Sequence, residues 1–127
     1  DTEFHLVDRK KKKMDVLLDI IKKLELNNVK IEACDAKDIA DKYDFILNRA
    51  VSSTENILSI CNNKLSFKNF NKIENGIICL KGGDLKRELI NIKDFDIIKL
   101  NEIFSEPFFE TKKILYIPSP YIHRDNV

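Results

Sequence analysis

The sequence has almost no net charge: 22 Lys and Arg against 21 Asp and Glu leave +1 over 127 residues. Net charge therefore gives no support for a nucleic-acid partner, and any such case must rest on a local patch. Cysteine is scarce. Cys34, Cys61 and Cys79 are far apart, odd in number and form no CxxC pair. Each lies among apolar residues, which fits reduced core thiols in a cytosolic protein. Apolar runs are only a few residues long, which excludes a membrane-spanning helix. Neither GxGxxG nor GxxxxGKS/T is present, so nothing here builds a phosphate cradle by itself. His5 and His123 are isolated, and no His/Cys/Asp cluster has metal spacing, so no metal site is expected. No Ser-His-Asp or Cys-His set is visible. There is no signal peptide, repeat, low-complexity linker or internal boundary, and residues 1–127 read as one domain.

What is present suits a folded α/β domain. The chain is 43% hydrophobic and 34% charged, enough to bury a core and too apolar for disorder. Lys (18), Ile (18) and Asn (12) are abundant, and all three have A/T-rich codons, so each Lys cannot be read as functional. Asp1-Thr2-Glu3 runs straight into a strand pattern without an initiator Met, as expected for a piece of a longer chain.

Phe4-His5-Leu6-Val7-Asp8 reads as a short buried strand ending in a carboxylate. A helix is predicted from about Lys11 to Leu26, with Met14, Leu17, Leu18, Ile21 and Leu24 as its core stripe and Asp19 and Lys23 as an outer ion pair. Val29–Cys34 alternates as a strand should. Tyr43–Asn48, with its nearly continuous apolar centre, suits a parallel strand covered on both faces. Ser52-Ser53-Thr54-Glu55 looks like a capping box opening a helix whose stripe is Ile57, Leu58, Cys61 and Leu65. Gly76–Lys81 is another buried strand. Gly82-Gly83 breaks it, and Asp84 can cap a helix with Leu85, Leu89 and Ile92 inward. Phe95–Leu100 and Lys113–Pro118 complete the series, punctuated by Pro107, Pro118 and Pro120. Alternating strands and helices predict a mostly parallel sheet, with a last strand that lacks a crossover helix and is reversed.

Ligands of such sheets bind outside the carboxyl ends of the strands. That rule singles out Asp8, Asp35, Asn48, Arg49, Lys81 and Gly82. Asp8 can hold a ribose diol or be a solvated strand-end carboxylate. Cys34-Asp35-Ala36-Lys37-Asp38 can offer a small residue and backbone amides to an adenine, or simply be a solvated turn. Arg49, in Asn48-Arg49-Ala50-Val51, can hold a phosphate or base, cap carbonyls, or pair with Asp44. Lys81-Gly82-Gly83 permits close substrate approach or is an ordinary turn. Arg9-Lys10-Lys11-Lys12-Lys13 could contact RNA phosphates, although a solvated helix start explains it too. Phe108-Phe109-Glu110-Thr111-Lys112-Lys113 could stack on RNA bases or plug the core.

These strand ends resemble a known family. Phe4–Asp8, Tyr43–Ala50 with its Asn48-Arg49-Ala50, Leu80-Lys81-Gly82-Gly83 and Phe109-Glu110-Thr111-Lys112-Lys113 are similar, in order and spacing, to blocks of the bacterial 16S ribosomal RNA guanine-N7 methyltransferases, also called glucose-inhibited division protein B or ribosomal RNA small subunit methyltransferase G. The resemblance implies a Rossmann-like S-adenosylmethionine-dependent methyltransferase fold. It implies methylation of guanine N7 in the 530 loop of 16S ribosomal RNA within the small ribosomal subunit, by a cytoplasmic monomer with no membrane partner. Asp8 matches the ribose carboxylate, Asp35, Ala36 and Lys37 the adenine turn, and Arg49 and Lys81 the basic residues of the substrate side, with Arg49 also beside the cofactor. The family's amino-terminal helical part, first strand and Gly-rich turn are missing, so this piece alone is expected to be inactive. Thr111 stands where some members carry Arg, leaving that charge to Lys112 or Lys113.

The implied chemistry suits the residue set. Guanine N7 carries a lone pair and no proton, so placement and electrostatic support suffice without a general base. Two competitors share these residues: a non-catalytic RNA-binding fragment that uses Arg49, Lys81 and the basic run, and a fragment of a nicotinamide-dependent Rossmann oxidoreductase that uses Asp8. The Gly-rich motif upstream of Asp1 would discriminate among them.

Overall fold

A computed structural model of the chain describes residues 1–49 and 53–119. Ala50, Val51, Ser52, Pro120 and His123 of the sequence reading lie outside the described residues. The chain divides into two compact units, Asp1–Ala40 and Asp41–Val127.

The first unit is a β-α-β arrangement. β1 (Phe4–Asp8) pairs in parallel with β2 (Val29–Ala33), from Phe4 opposite Val29 to Asp8 opposite Ala33. Between them runs α1 (Lys11–Lys23). Its stripe is narrower than expected: Met14 is buried and Leu17 and Ile21 are half-buried, whereas Leu18 and Leu24 are exposed. The helix also stops three residues early, and the reason is local. Glu25 takes a left-handed φ of 52°, its N–H bonds to the Lys22 carbonyl, and the Leu26 N–H bonds to the Ile21 carbonyl. That is a Schellman end without glycine. Asp19 and Lys23 pair at 2.9 Å as the spacing predicts; both are exposed, so the pair stabilises by only ~0.3–0.5 kcal/mol. A single 3-10 turn, Ala36–Asp38, follows β2.

The second unit holds a four-stranded sheet. Its strands are β3 (Phe45–Arg49), β4 (Gly76–Gly82), β5 (Asp96–Lys99) and β6 (Lys112–Pro118), in the order β3-β4-β6-β5. β3 and β4 are parallel, and β6 runs antiparallel to both β4 and β5. The last strand is thus reversed, as its missing crossover predicts. One face of the sheet is the core. Ile77, Cys79, Leu115 and Ile117 pack there against Ile57, Cys61, Leu65, Leu85 and Leu89. Ile57 and Cys61 come from α2 (Thr54–Cys61), the helix between β3 and β4. The opposite face is open. Leu47 is 67% exposed and Leu80 42%, so among the described residues β3 is covered on one face only, contrary to the reading of its apolar centre.

Two local expectations change. The cap of α2 is Ser53, whose hydroxyl accepts from the Asn56 N–H at 3.3 Å. No helix forms over residues 84–92. Asp84 accepts from the Lys86 N–H at 3.0 Å, and the segment continues as turns with single bonds from Leu89 N–H to Leu85 and from Ile92 N–H to Leu89. Leu85 and Leu89 still reach the core, so burial is satisfied without helical propagation.

Close approach and one buried amide fix the entrance to β4. A Cβ at Gly76 would stand 2.4 Å from the Ile117 carbonyl oxygen, so only glycine fits opposite β6. Asn75 is fully buried, and its Nδ2 donates to the carbonyls of Ser66 (2.9 Å) and Lys68 (3.0 Å). The loop between α2 and β4 is pinned by that side chain.

Candidate functional site

The sequence-predicted residues fall into one cluster in each unit. In the first unit, Asp8 ends β1 and the Ala36–Asp38 turn follows β2, so both lie at the carboxyl end of the parallel ladder. The Cys34 N–H extends that ladder by bonding to the Asp8 carbonyl at 3.1 Å. The Asp8 carboxylate accepts from the Lys10 N–H at 2.8 Å and faces the Lys13 ammonium at 3.5 Å. The Lys10 amide, together with the Lys13 charge, outweighs partial desolvation and holds the Asp8 carboxyl below its ordinary range. An ionised carboxylate has about four acceptor directions, so Asp8 keeps capacity for a further donor such as a ribose hydroxyl.

Asp35 caps the 3-10 turn. Its Oδ1 accepts from the Lys37 N–H at 3.0 Å, and its Oδ2 lies 4.0 Å from Arg9. Ala36 and Lys37 are exposed on that turn. A small exposed residue on a capped turn lets a flat ring approach the backbone, which is the geometry an adenine requires. Cys34 lies next to this turn with its Sγ 3.4 Å from Glu32 Oε2. Desolvation and that carboxylate push its thiol up, so it is not an activated nucleophile.

In the second unit, Arg49 ends β3 directly opposite Leu80 of β4. Its side chain is exposed and forms no ion pair among the described residues. Arg49 borders a shallow concavity of about 440 Å³ on the open sheet face, lined also by Leu47, Asn48, Ile78, Leu80 and Ile114. Asn48 turns its Nδ2 to the Cys79 Sγ at 3.2 Å, and burial raises the Cys79 thiol.

Lys81 is placed differently. It shares the core face with Ile77 and Cys79 and is only 6% exposed. Its Nζ lies 3.2 Å from Glu88 Oε2. The same oxygen accepts from the Thr54 N–H at 3.2 Å and the Thr54 hydroxyl at 2.9 Å. Glu88 therefore joins β4 to the first amide of α2. Sequence reasoning missed Glu88 and its bonds to Thr54, 34 residues away.

Gly82 and Gly83 follow Lys81. Gly83 has a φ of +76°, which favours glycine, and its N–H bonds to the Thr111 carbonyl at 3.0 Å. Lys113 donates to the Gly83 carbonyl, and Lys112 lies over the Phe108 ring at 5.1 Å. The Thr111-Lys112-Lys113 segment is thus tied to the end of β4. Among the described residues no group of His, Cys, Asp or Glu could hold a metal ion. No described helix is long and apolar enough to cross a membrane.

With this geometry in place, comparisons with known proteins agree along the chain. The family model described as GidB, rRNA small subunit methyltransferase G, matches residues 1–112. A protein named ribosomal RNA small subunit methyltransferase G from Flavobacterium johnsoniae is 39% identical over 118 residues, covering 93% of this chain and 56% of that protein. The protein of the same name from Bacteroides fragilis is 38% identical over 118 residues, covering 92% and 57%. The chain spans about half the length of the curated relatives it matches. Among solved structures, a methyltransferase candidate of Thermoplasma acidophilum is similar with a TM-score of 0.58 at 11% identity, covering 92% of this chain and 58% of that one. A chain of a fibrillarin/Nop5p complex is similar with a TM-score of 0.54 at 18% identity, covering 91% and 61%. At such identities these two likenesses show the fold, a Rossmann-like methyltransferase fold.

Proposed function

The chain belongs to the rRNA small subunit methyltransferase G family, and we propose that it is part of an enzyme that methylates guanine N7 in the 530 loop of 16S ribosomal RNA, using S-adenosylmethionine. The observation that carries this reading is the family match across residues 1–112. We take residues 1–127 as one partial methyltransferase domain of a cytoplasmic, monomeric protein whose partner is the small ribosomal subunit.

Each cluster has a part. Asp8 would accept from the cofactor ribose, because its carboxylate stays ionised at the carboxyl end of β1. The Asp35-capped turn would receive the adenine over Ala36 and Lys37. The cofactor, when bound, supplies an activated methyl group. Arg49 would hold the guanine carbonyl and nearby phosphate, and its exposed guanidinium at the end of β3 supports this. No side chain has to take a proton, since N7 has none. Lys81 is committed to Glu88, so its part is positional: the pair fixes the start of α2, just after the segment that carries Arg49.

The test is methyl transfer by the full-length protein to small ribosomal subunits that lack the modification, with the product base identified. Label at guanine N7 of the 530 loop is the expected result. Absence of transfer despite cofactor binding would favour a non-catalytic RNA-binding role.

A further inference from the structure

The basic run Arg9–Lys13 has no part in the methyl-transfer reading, yet two of its charges turn toward the proposed cofactor residues. Asp8 and Asp35 are held alike. Each accepts with Oδ1 from the N–H two residues on, Lys10 at 2.8 Å and Lys37 at 3.0 Å. Each has a cation at Oδ2, with Lys13 3.5 Å from Asp8 and Arg9 4.0 Å from Asp35. Lys13 comes from the first turn of α1, which holds no acidic residue. A cation there opposes the helix dipole, so it does not serve the helix. Nor does the pair add much to the fold. The Lys13 side chain is 60% exposed and that of Asp8 34%, and ion pairs so open to water contribute little to stability. Lys12, beside Lys13 in the run, forms no ion pair among the described residues.

Resting on the assignment of Asp8 to the cofactor ribose, we infer that Lys13 is a positioning residue: it fixes the plane of the Asp8 carboxylate so that each oxygen keeps an acceptor direction for a ribose hydroxyl. A carboxylate has about four such directions. The Lys10 N–H takes one on Oδ1 and the Lys13 ammonium takes one on Oδ2, which leaves both oxygens open to a vicinal diol. Without Lys13 the carboxylate keeps the Lys10 bond alone and can turn about it. The charge acts in the same direction. The Lys10 amide first, and then the Lys13 ammonium, hold the Asp8 carboxyl below its ordinary range against partial desolvation. Beyond the end of β2 stand Cys34, whose raised thiol is neutral, and Asp35, whose charge faces Arg9. Binding that needs ionised Asp8 is complete above its depressed value and is lost as pH falls through it. Removing Lys13 takes away one lowering cause, so that loss moves to higher pH.

The experiment is calorimetry of S-adenosylmethionine binding to the full-length protein and its Lys13→Met, Lys13→Arg and Lys12→Met variants, from neutral pH downward. Lys13→Met is expected to weaken binding about threefold at neutral pH, within the range for an exposed pair, and to move the acid limb of binding to higher pH. Lys13→Arg keeps the charge and should restore both the affinity and the limb. Lys12→Met should match the wild type. Affinity unchanged or tightened in Lys13→Met overturns the inference, as does an acid limb that stays in place. An equal loss in Lys12→Met overturns it too, since total charge would then be the cause. A wild type that binds no S-adenosylmethionine overturns the cofactor assignment and the positioning role together, whereas a wild type that binds, with Lys13→Met unchanged, overturns the positioning role alone.

Discussion

Lys81 Nζ and Glu88 Oε2 lie 3.2 Å apart at the rim of the core, and that oxygen also takes both polar hydrogens of Thr54. One carboxylate thus neutralises a buried ammonium and caps a helix in a single position. A helix amino terminus carries partial positive charge, so both neighbours favour the ionised form.

Glu88→Ala should therefore cost roughly 2–3 kcal/mol in denaturant unfolding, because it strands a buried ammonium and a helix amide together. The pH dependence has a definite sign. Burial would raise the Glu88 carboxyl, but the hydrogen bonds from Thr54 and Lys81 and the Lys81 charge prevail and lower it from 4.5. Its stabilisation is then present above about pH 4.5 and is lost as pH falls through the depressed value. Glu88→Gln should remove that acid-side slope, and a wild-type slope persisting in the variant would assign it to other carboxylates.

Arg49→Ala should lower single-turnover methyl transfer by about a hundredfold while cofactor affinity changes little, the range for losing a positioned charge in a reacting site. Arg49→Lys should recover only part, since an ammonium lacks the planar fork. Wild-type rates in Arg49→Ala would assign the residue a structural role instead.

For Asp8→Asn, calorimetry on the full-length protein should show S-adenosylmethionine binding weakened about tenfold, with the fold intact. Neutralising Lys11 and Lys12 serves as a control: it should change the salt dependence of RNA binding without stopping transfer. Equal cofactor affinity in Asp8→Asn would return Asp8 to the role its bond to the Lys10 N–H already shows, organising the start of α1.

Gly76→Ala should destabilise the protein by about 1–3 kcal/mol, because its methyl would meet the Ile117 carbonyl oxygen at 2.4 Å. Thermal unfolding measures this directly. Gly82→Ala provides the contrast, since its nearest neighbours there start at 3.5 Å and belong to the flexible Lys112 side chain.

The strand order along the chain was legible because apolar alternation and helical spacing are local properties. Val29–Ala33 and α1 show this, as does the reversed β6, which is reached from β5 without an α-helix between them. The end of α1 was not legible, since nothing in Glu25 announces a left-handed φ. Leu85, Leu89 and Ile92 have helical spacing, yet turns bury the first two and half-bury Ile92 as well. Strand ends singled out Asp8, Asp35 and Arg49, and the structure has Asp8 and Arg49 closing β1 and β3 and Asp35 just after β2. Lys81 shows the limit of that rule: its parity with Ile77 and Cys79 assigns it to the core face. Glu88, its partner there, is fixed by tertiary folding and leaves no local mark.

β6 is flanked on both sides, by β4 and β5, yet it follows both in the chain. During synthesis the middle of the sheet is therefore the last part to be laid. Until residues 112–118 emerge, the facing edges of β4 and β5 have no partner, and unpaired edges are where nascent chains associate wrongly. The order of strands thus makes completion of this sheet wait on one seven-residue segment, Lys112–Pro118.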